Sequence, residues 1–301
     1  MRVLLIANPA SRKLMRGLRV ESLVAKLRGP GVEVTPQVTA TPGEATALAR
    51  HAAAEGFDRV VVAGGDGTIR AAVDGLAGSD VPLGIIPTGT GNVLRRHLGI
   101  PASVEAACDV INARRTQRFD LGRAGDRHFI LHAGAGHDAN VVRRVPARLK
   151  AAIGQLAFVG TMVSTLAKQQ QWQMHVRVDD AEWEGRAWAA IVANSSSYAW
   201  KMRLVPHART DDGVLDVAVF GACGVWAFVA LHIMALFGRH VRSPHVHLLS
   251  GTEVEVHAEP TAPVQMDGDV VGDTPLRCAV VPAAISLIVP PSARGQPSQN
   301  R

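Results

Sequence analysis

Residues 59–68 read Arg59-Val60-Val61-Val62-Ala63-Gly64-Gly65-Asp66-Gly67-Thr68, and this stretch decides the fold. The run of valines and alanine does not alternate with polar residues, as expected of a strand buried on both faces. Gly64 and Gly65 end it, and Thr68–Leu76 takes up helical spacing. A strand that closes in a glycine turn and reopens as a helix is the building unit of a parallel α/β sheet. In such sheets ligands bind beyond the carboxyl ends of the strands. Glycines there let backbone N–H groups approach a phosphate, and the helix N-terminus adds positive potential. Asp66 sets a carboxylate among those donors, which suits an Mg²⁺ ligand or a proton acceptor. Taken alone, Gly-Gly-Asp-Gly fits a tight turn with an aspartate cap equally well.

Working outward, a second loop, Pro87-Thr88-Gly89-Thr90-Gly91-Asn92, follows the apolar run Leu83–Ile86. A third, Asn8-Pro9-Ala10-Ser11, follows Val3–Ala7, with Arg12 and Lys13 behind it. Three such turns at strand ends form a site for nucleotide phosphates; no Gly-x-x-x-x-Gly-Lys-Ser/Thr is present, so it is not a P-loop. Around these loops the spacing predicts helices over Met15–Leu27, Val93–Leu98 and Val104–Asn112 and a strand over Val32–Val38. Thr41-Pro42-Gly43-Glu44 reads as an N-cap and capping box opening a helix to about Ala54. The first 120 residues are therefore an α/β unit with a mostly parallel sheet.

Beyond Phe119 the pattern turns to strands: Arg118–Arg123, His128–Ala133, Trp172–Asp179, Glu184–Asn194, Leu215–Phe220, Glu253–His257, Pro263–Met266 and Arg277–Val281. Helical stretches over Arg148–Gln170 and Gly224–Phe237 interrupt them. This predicts a second, antiparallel β-rich domain over 121–290. Its last strand, Ala284–Val289, is a candidate to return to the first domain, and 291–301 reads as a disordered polar tail.

Composition excludes several classes. With 301 residues, 47% hydrophobic and 19% charged, the chain is globular and long enough to bury a core without staples. Its 32 basic and 26 acidic residues leave a net charge of +6, which suits an anionic partner such as a nucleotide or an acidic membrane surface. Three scattered cysteines, Cys108, Cys223 and Cys278, suggest no disulfide framework, and a reducing, cytoplasmic location is expected. The longest apolar run, Val225–Phe237, falls short of the ~20 residues of a membrane span. One tyrosine and 4% aromatics argue against a base-stacking nucleic-acid platform.

Asn8-Pro9 with Ser11, Gly64–Thr68, Pro87–Asn92 and the late Asp267-Gly268-Asp269 resemble the diacylglycerol kinase catalytic-domain family, which also includes sphingosine and ceramide kinases. The resemblance runs from Asn8 to about Pro290. It implies an α/β nucleotide-binding domain and an antiparallel β-sandwich with the active site in the cleft between them. It implies an ATP- and Mg²⁺-dependent kinase that phosphorylates a hydroxyl of a lipid alcohol, working in peripheral contact with an anionic membrane. Residue by residue, it implies nucleotide contacts from Thr41, from Gly64, Gly65, Asp66, Gly67 and Thr68 on to Arg70, and from Thr90; the loops themselves add Asn8, Gly89, Gly91 and Asn92 as candidates. The general base would be Asp269 or, as proposed for sphingosine kinases, Asp66. A structural Mg²⁺ would be held by the Asp212 carboxylate with the backbone carbonyls of Arg209 and Val214. Read from the residues alone, Asp211-Asp212-Gly213 is a hairpin turn.

Two departures stand out. The late motif has Asp269 where the family usually has Glu, and Asn92 is followed by Val93 where many members have Asp. An NAD-kinase-like small-molecule kinase and a non-catalytic nucleotide sensor remain alternatives. Arg12, Arg70 and Arg95 are candidates to neutralise transferring charge. His132–Ala139 contains a Gly-x-Gly-x-x-Ala that lacks its later acid and reads as a close-packing turn. His240, His245 and His247 match no zinc spacing and read as a solvated loop. The helices Ala151–Leu166 and Val225–Phe237 are apolar on most faces. They read as core or, more sharply, as the lining or membrane-facing lip for an acyl chain.

Overall fold

A computed structural model describes residues 1–41, 43–145, 160–161, 164–165, 170–198 and 202–291. Pro42, the greater part of the helix expected over Arg148–Gln170 and the tail beyond 291 lie outside the described residues. The chain divides into two units: Met1–Phe119 together with the chain from Ala283 onward, and Asp120–Pro282.

The first unit is built on a parallel sheet. Its strands are β1 (Arg2–Ala7), β2 (Glu33–Val38), β3 (Arg59–Gly64) and β4 (Leu83–Pro87), joined by the end of β15 (Leu276–Ile288). The order is β2-β1-β3-β4-β15, with Leu5 opposite Val61 and Val62 opposite Ile85. β3 and β4 are buried along their whole length, as their unbroken apolar sequence requires. Leu5, Leu23, Val61, Ile86 and Ile111 share one core cluster under the helices. Those helices are α1 (Arg12–Met15), α2 (Val20–Leu27), α3 (Glu44–Ala54), α4 (Asp66–Leu76), α5 (Val93–His97) and α6 (Val104–Ala113).

The second unit is antiparallel. Its strands are β5 (Thr116–Ala124), β6 (Arg127–Phe129), β7 (His132–Gly136), β8 (Trp172–Val178), β9 (Ala181–Ala193), β10 (Leu215–Gly221), β11 (Val246–Gly251), β12 (Glu253–Glu259), β13 (Pro263–Met266) and β14 (Asp269–Asp273), with the start of β15. The main path is β14-β13-β7-β9-β8-β12-β15, and β10 and β11 extend from β9. β9 alternates its side chains between two cores. Ala190 and Val192 face Trp172, Met174, Val217 and Val256. Trp188 and Ile191 face Phe220 and the helix α8 (Val225–Ala235). Helix α7 (His137–Arg144) follows β7.

Several local expectations need correction. Met15–Leu27 is not one helix: Gly17, at φ +100°, breaks it into α1 and α2. Thr41 does not cap α3. Its hydroxyl donates to Glu44 Oε1 (3.2 Å), the other Glu44 oxygen accepts the Ala40 N–H (2.7 Å), and Gly43 occupies the cap position. His128–Ala133 splits into β6 and β7. β11 and β14 form where no strand was expected, and Arg277–Val281 and Ala284–Val289 are one continuous β15. His240 is fully buried rather than solvated: its Nε2 lies 2.8 Å from the Leu204 carbonyl and its ring stacks on Phe220.

Helices α3 and α4 approach closely at Gly75, where a Cβ would collide with the Thr46 carbonyl oxygen and the Ala49 methyl. Thr46 also donates its hydroxyl to the Ala71 carbonyl (2.8 Å). Gly75→Ala should therefore cost about 1–3 kcal/mol by overpacking, despite alanine's better helix propensity. Thermal unfolding should show a lower Tm; an unchanged or raised Tm would mean that the two helices are not locked at this point.

Candidate active site

In the first unit the three loops are bonded to one another at the carboxyl edge of the sheet. The Asn8 N–H donates to the Ala63 carbonyl (3.0 Å), and Asn8 Nδ2 donates to Thr68 Oγ1 (2.8 Å). Gly64 offers its carbonyl to the N–H groups of Thr88 and Gly89, each at 3.2 Å, and Lys13 N–H reaches the Thr88 carbonyl at 3.0 Å. Gly89 passes so close to Gly65 that a Cβ on Gly89 would sit 2.5 Å from the Gly65 Cα.

Asp66, in the first turn of α4, ties this arrangement together. Its Oδ1 accepts the Val93 N–H at 2.7 Å, and Asn92 and Leu94 add their N–H groups. These are the donors that the start of α5 leaves without intrahelical partners. Asn92 makes the loop possible by adopting a left-handed conformation (φ 50°) and donating Nδ2 to the Gly89 carbonyl at 2.9 Å. Burial raises the Asp66 pKa, against the opposing pull of these three amides. The first turn of α4 leaves the N–H groups of Gly65, Asp66, Gly67 and Thr68 without intrahelical partners.

Three buried polar atoms in these loops, Ser11 Oγ, Thr88 Oγ1 and Asn92 Oδ1, have no hydrogen-bond partner within the chain. Buried polar atoms are nearly always satisfied, by protein, water or ligand, so these three suit polar groups brought in from outside the chain. Thr90 is exposed at the rim. Thr41 lies on the same sheet edge, two residues past Thr39, whose N–H donates to the Ala7 carbonyl (3.0 Å). Of the candidate arginines, Arg70 pairs with Asp74 (3.4 Å) and Arg95 donates to the Ile100 carbonyl (2.7 Å). Arg12 is exposed directly after the Asn8–Ser11 loop.

In the second unit Asp267-Gly268 forms the two-residue turn of the β13–β14 hairpin, with Met266 opposite Asp269. Both residues have positive φ, 47° and 85°, as the tight hairpin turn of that hand requires. The Asp267 carboxylate accepts the N–H groups of Ile130 (2.8 Å), Leu131 (3.0 Å) and His132 (3.0 Å). It thereby satisfies the backbone at the break between β6 and β7. Asp269 opens β14, half-buried.

The turn is braced from below. Gly268 N–H donates to Gln265 Oε1 (2.8 Å), Gln265 Nε2 donates to Asp138 Oδ2 (2.7 Å), and the Tyr198 hydroxyl donates to the other oxygen of Asp138. Burial pushes the Asp138 pKa up to about 6. Burial also pushes His132 and His137 down to about 4. Gly134 and Gly136 are the close-packing positions expected from the sequence: a Cβ at Gly136 would meet the Trp188 carbonyl oxygen at 2.6 Å. None of Asp138, Gln265 and Tyr198 was expected as part of the site; they are 60 to 127 residues apart in sequence.

Arg209, Asp212 and Val214 share one loop before β10. Gly213, at φ +71°, makes it a tight turn, though β10 pairs with β9 and β11 rather than with a strand on the loop's other side. Asp120 Oδ2 accepts the Gly213 N–H at 2.7 Å. Burial, with Asp216 and Asp120 nearby, raises the Asp212 pKa, and its Oδ1 is buried without a partner. That orphaned oxygen fits a hard cation completed by carbonyls and water. Among the described residues, no three His, Cys, Asp or Glu side chains converge to hold a metal by themselves.

Comparison with known proteins assigns a family to each part of the chain. Residues 2–124 match the diacylglycerol kinase catalytic domain, and residues 132–289 match the YegS C-terminal NAD kinase beta sandwich-like domain. The two units thus define a kinase. The chain belongs to the diacylglycerol kinase family: it is 30% identical over 278 residues to the diacylglycerol kinase of Bacillus subtilis (strain 168), covering 91% of each chain. It is 27% identical over 291 residues to that of Staphylococcus epidermidis (strain ATCC 35984), covering 96% of this chain and 92% of the relative. Among solved structures, a diacylglycerol kinase from Bacillus anthracis superimposes with a TM-score of 0.78 at 26% identity, covering 97% of this chain and 98% of that one.

The buried histidines give a pH prediction. Their folded pKa values lie below the unfolded 6.5, so the stability they contribute is complete above pH 6.5 and is lost as pH falls toward 4. At pH 5 the pair should lose about 4 kcal/mol together. Asp138 works in the opposite sense, from 3.8 to about 6, and returns about 1 kcal/mol. Tm should therefore fall between pH 7 and pH 5. His137→Phe, which keeps the edge-on packing against Trp188 and Phe228, should flatten that fall; an equally steep profile in the variant would contradict the assignment.

Proposed function

We propose that this kinase transfers the γ-phosphoryl group of ATP, with Mg²⁺, to a hydroxyl of a diacylglycerol-like lipid alcohol. The observation that carries the nucleotide half of this reading is the cluster of unpartnered Ser11, Thr88 and Asn92 atoms inside three mutually bonded loops. Asn8, Gly64–Thr68 and Gly89–Asn92 would surround the phosphates with backbone and side-chain donors, and Thr41 would bound the nucleotide on the same sheet edge. Mg²⁺, when bound, supplies charge neutralisation on the phosphate oxygens. Arg12 is the candidate arginine to add to it, since Arg70 and Arg95 are held by Asp74 and the Ile100 carbonyl.

Asp269 is the better base of the two candidates. Asp66 accepts three backbone N–H groups and holds the loops, whereas Asp269 opens a strand directly after a braced turn. Asp269 would take the hydroxyl proton as the oxygen attacks phosphorus. A second cation would sit on Asp212 with the carbonyls of Arg209 and Val214. No described helix is long and apolar enough to cross a membrane. A bilayer-resident alcohol would be reached by peripheral contact, on the side where ATP is available.

The test is γ-labelled ATP with total lipid extract, with NAD, or with neither, followed by identification of the labelled product. A labelled lipid is expected. A labelled dinucleotide would make the chain an NAD kinase, and ATP binding with no transfer would make it a sensor. In the same assay Asp269→Asn should lower kcat by about 10²–10⁴-fold with little change in the KM for ATP. Asp66→Asn should instead raise that KM and lower Tm, because an amide N–H would face the N–H groups of α5. Near wild-type turnover in Asp269→Asn would remove Asp269 from the role of base.

A further inference from the structure

Helix α8 has no polar face. Its eleven residues, Val-Trp-Ala-Phe-Val-Ala-Leu-His-Ile-Met-Ala, include one polar side chain, His232, which bonds back to the Phe228 carbonyl (2.9 Å). Phe228, Leu231 and Ala235 pack into the core. The opposite side carries Trp226 (85% exposed) and Ile233 (56%), and it continues into Leu236 (44%) and Phe237 (74%). Residues 226, 230, 233 and 237 recur at helical spacing, so they form one outward stripe. A surface helix normally presents charge on that side.

The surroundings of the stripe are basic. From Val217 to Thr252 the sequence contains no Asp or Glu. Arg239 and Arg242 follow the helix, and Arg203 N–H donates to the Ala235 carbonyl (3.3 Å), which brings a third arginine to the same end. All three are exposed, and none is paired with an acid among the described residues. An isologous contact between two copies would set this patch against itself and bring arginines together without counter-charge. An anionic bilayer meets both features: lipid phosphates for the arginines, and an apolar boundary layer for Trp226, Ile233 and Phe237.

We propose that the outward stripe of α8, with Arg203, Arg239 and Arg242, docks the second unit onto an anionic membrane surface, the helix lying in the plane of the headgroups. The proposal gains its purpose from the lipid-kinase reading, which needs the enzyme at the bilayer, but its test is independent of phosphoryl transfer.

The experiment is cosedimentation of the full chain with vesicles of phosphatidylcholine alone or mixed with phosphatidylglycerol. Wild type should bind the mixed vesicles, and binding should weaken as salt rises. A Trp226→Gln, Phe237→Gln variant should lose roughly tenfold or more in partition per aromatic. An Arg203→Gln, Arg239→Gln, Arg242→Gln variant should lose on the order of a hundredfold, at about fivefold per arginine. The emission of wild type should shift to the blue on mixed vesicles, and that shift should be absent in Trp226→Phe. All variants should keep the wild-type circular dichroism and Tm, and wild-type turnover of a short-chain, water-soluble diacylglycerol. Wild-type vesicle binding by the folded Trp226→Gln, Phe237→Gln variant would overturn the proposal, as would a wild-type dimer that this variant dissociates. If wild type binds through this face yet phosphorylates no lipid, the docking stands and the lipid-kinase reading falls.

Discussion

The Asp66 carboxylate accepts the N–H groups at the start of α5, and the loop end of the first unit depends on that one set of bonds. The loops after β3 and β4 carry so many glycines that neither would hold a shape by its own packing. Backbone groups at a helix start must find partners, and a single anion on the neighbouring loop satisfies three at once. The burial that raises the Asp66 pKa is the cost of placing that anion; the amides oppose it in part. With this tie made, Gly89 can lie against Gly65, and Asn8 can reach Thr68.

The second unit repeats the device with Asp267. Its carboxylate accepts three N–H groups at the β6–β7 break, while its own backbone forms a tight turn. The chain Tyr198–Asp138–Gln265–Gly268 then fixes the turn from the other side. Asp269 is thus presented by a turn held at two points. Asp66 and Asp267 thus both hold backbone in place, each from a loop that carries one of the sequence motifs. The shorter side chain of Asp269, compared with the glutamate usual in the family, is mounted on a well-braced turn.

The parallel sheet was legible because buried strands such as Val60–Ala63 and Leu83–Ile86 leave an unbroken apolar record, and because glycines mark their ends. The loop residues were legible for the same reason. What was not legible depended on partners distant in sequence. The split of His128–Ala133 into two strands is made by Asp267, 135 to 137 residues later. The holding role of Asp66 needs a loop 27 residues on. His240 reads as a surface histidine until Phe220 and the Leu204 carbonyl are seen to enclose it. Thr41 and Glu44 do carry a capping signal, but the bonds run through the Glu44 side chain rather than from the threonine to the helix. Gly17 could have been read as a breaker, but helical spacing on both sides hid it.

If the three loops tied together by Asp66 form one phosphate site, they should answer to nucleotide as a unit. Amide hydrogen exchange with and without a non-hydrolysable ATP analogue and Mg²⁺ tests this most directly. Segments 8–13, 64–70 and 88–96 should gain protection together and over the same nucleotide concentration range. Protection confined to one loop, or appearing elsewhere while these three stay unchanged, would mean that the loops do not form one site.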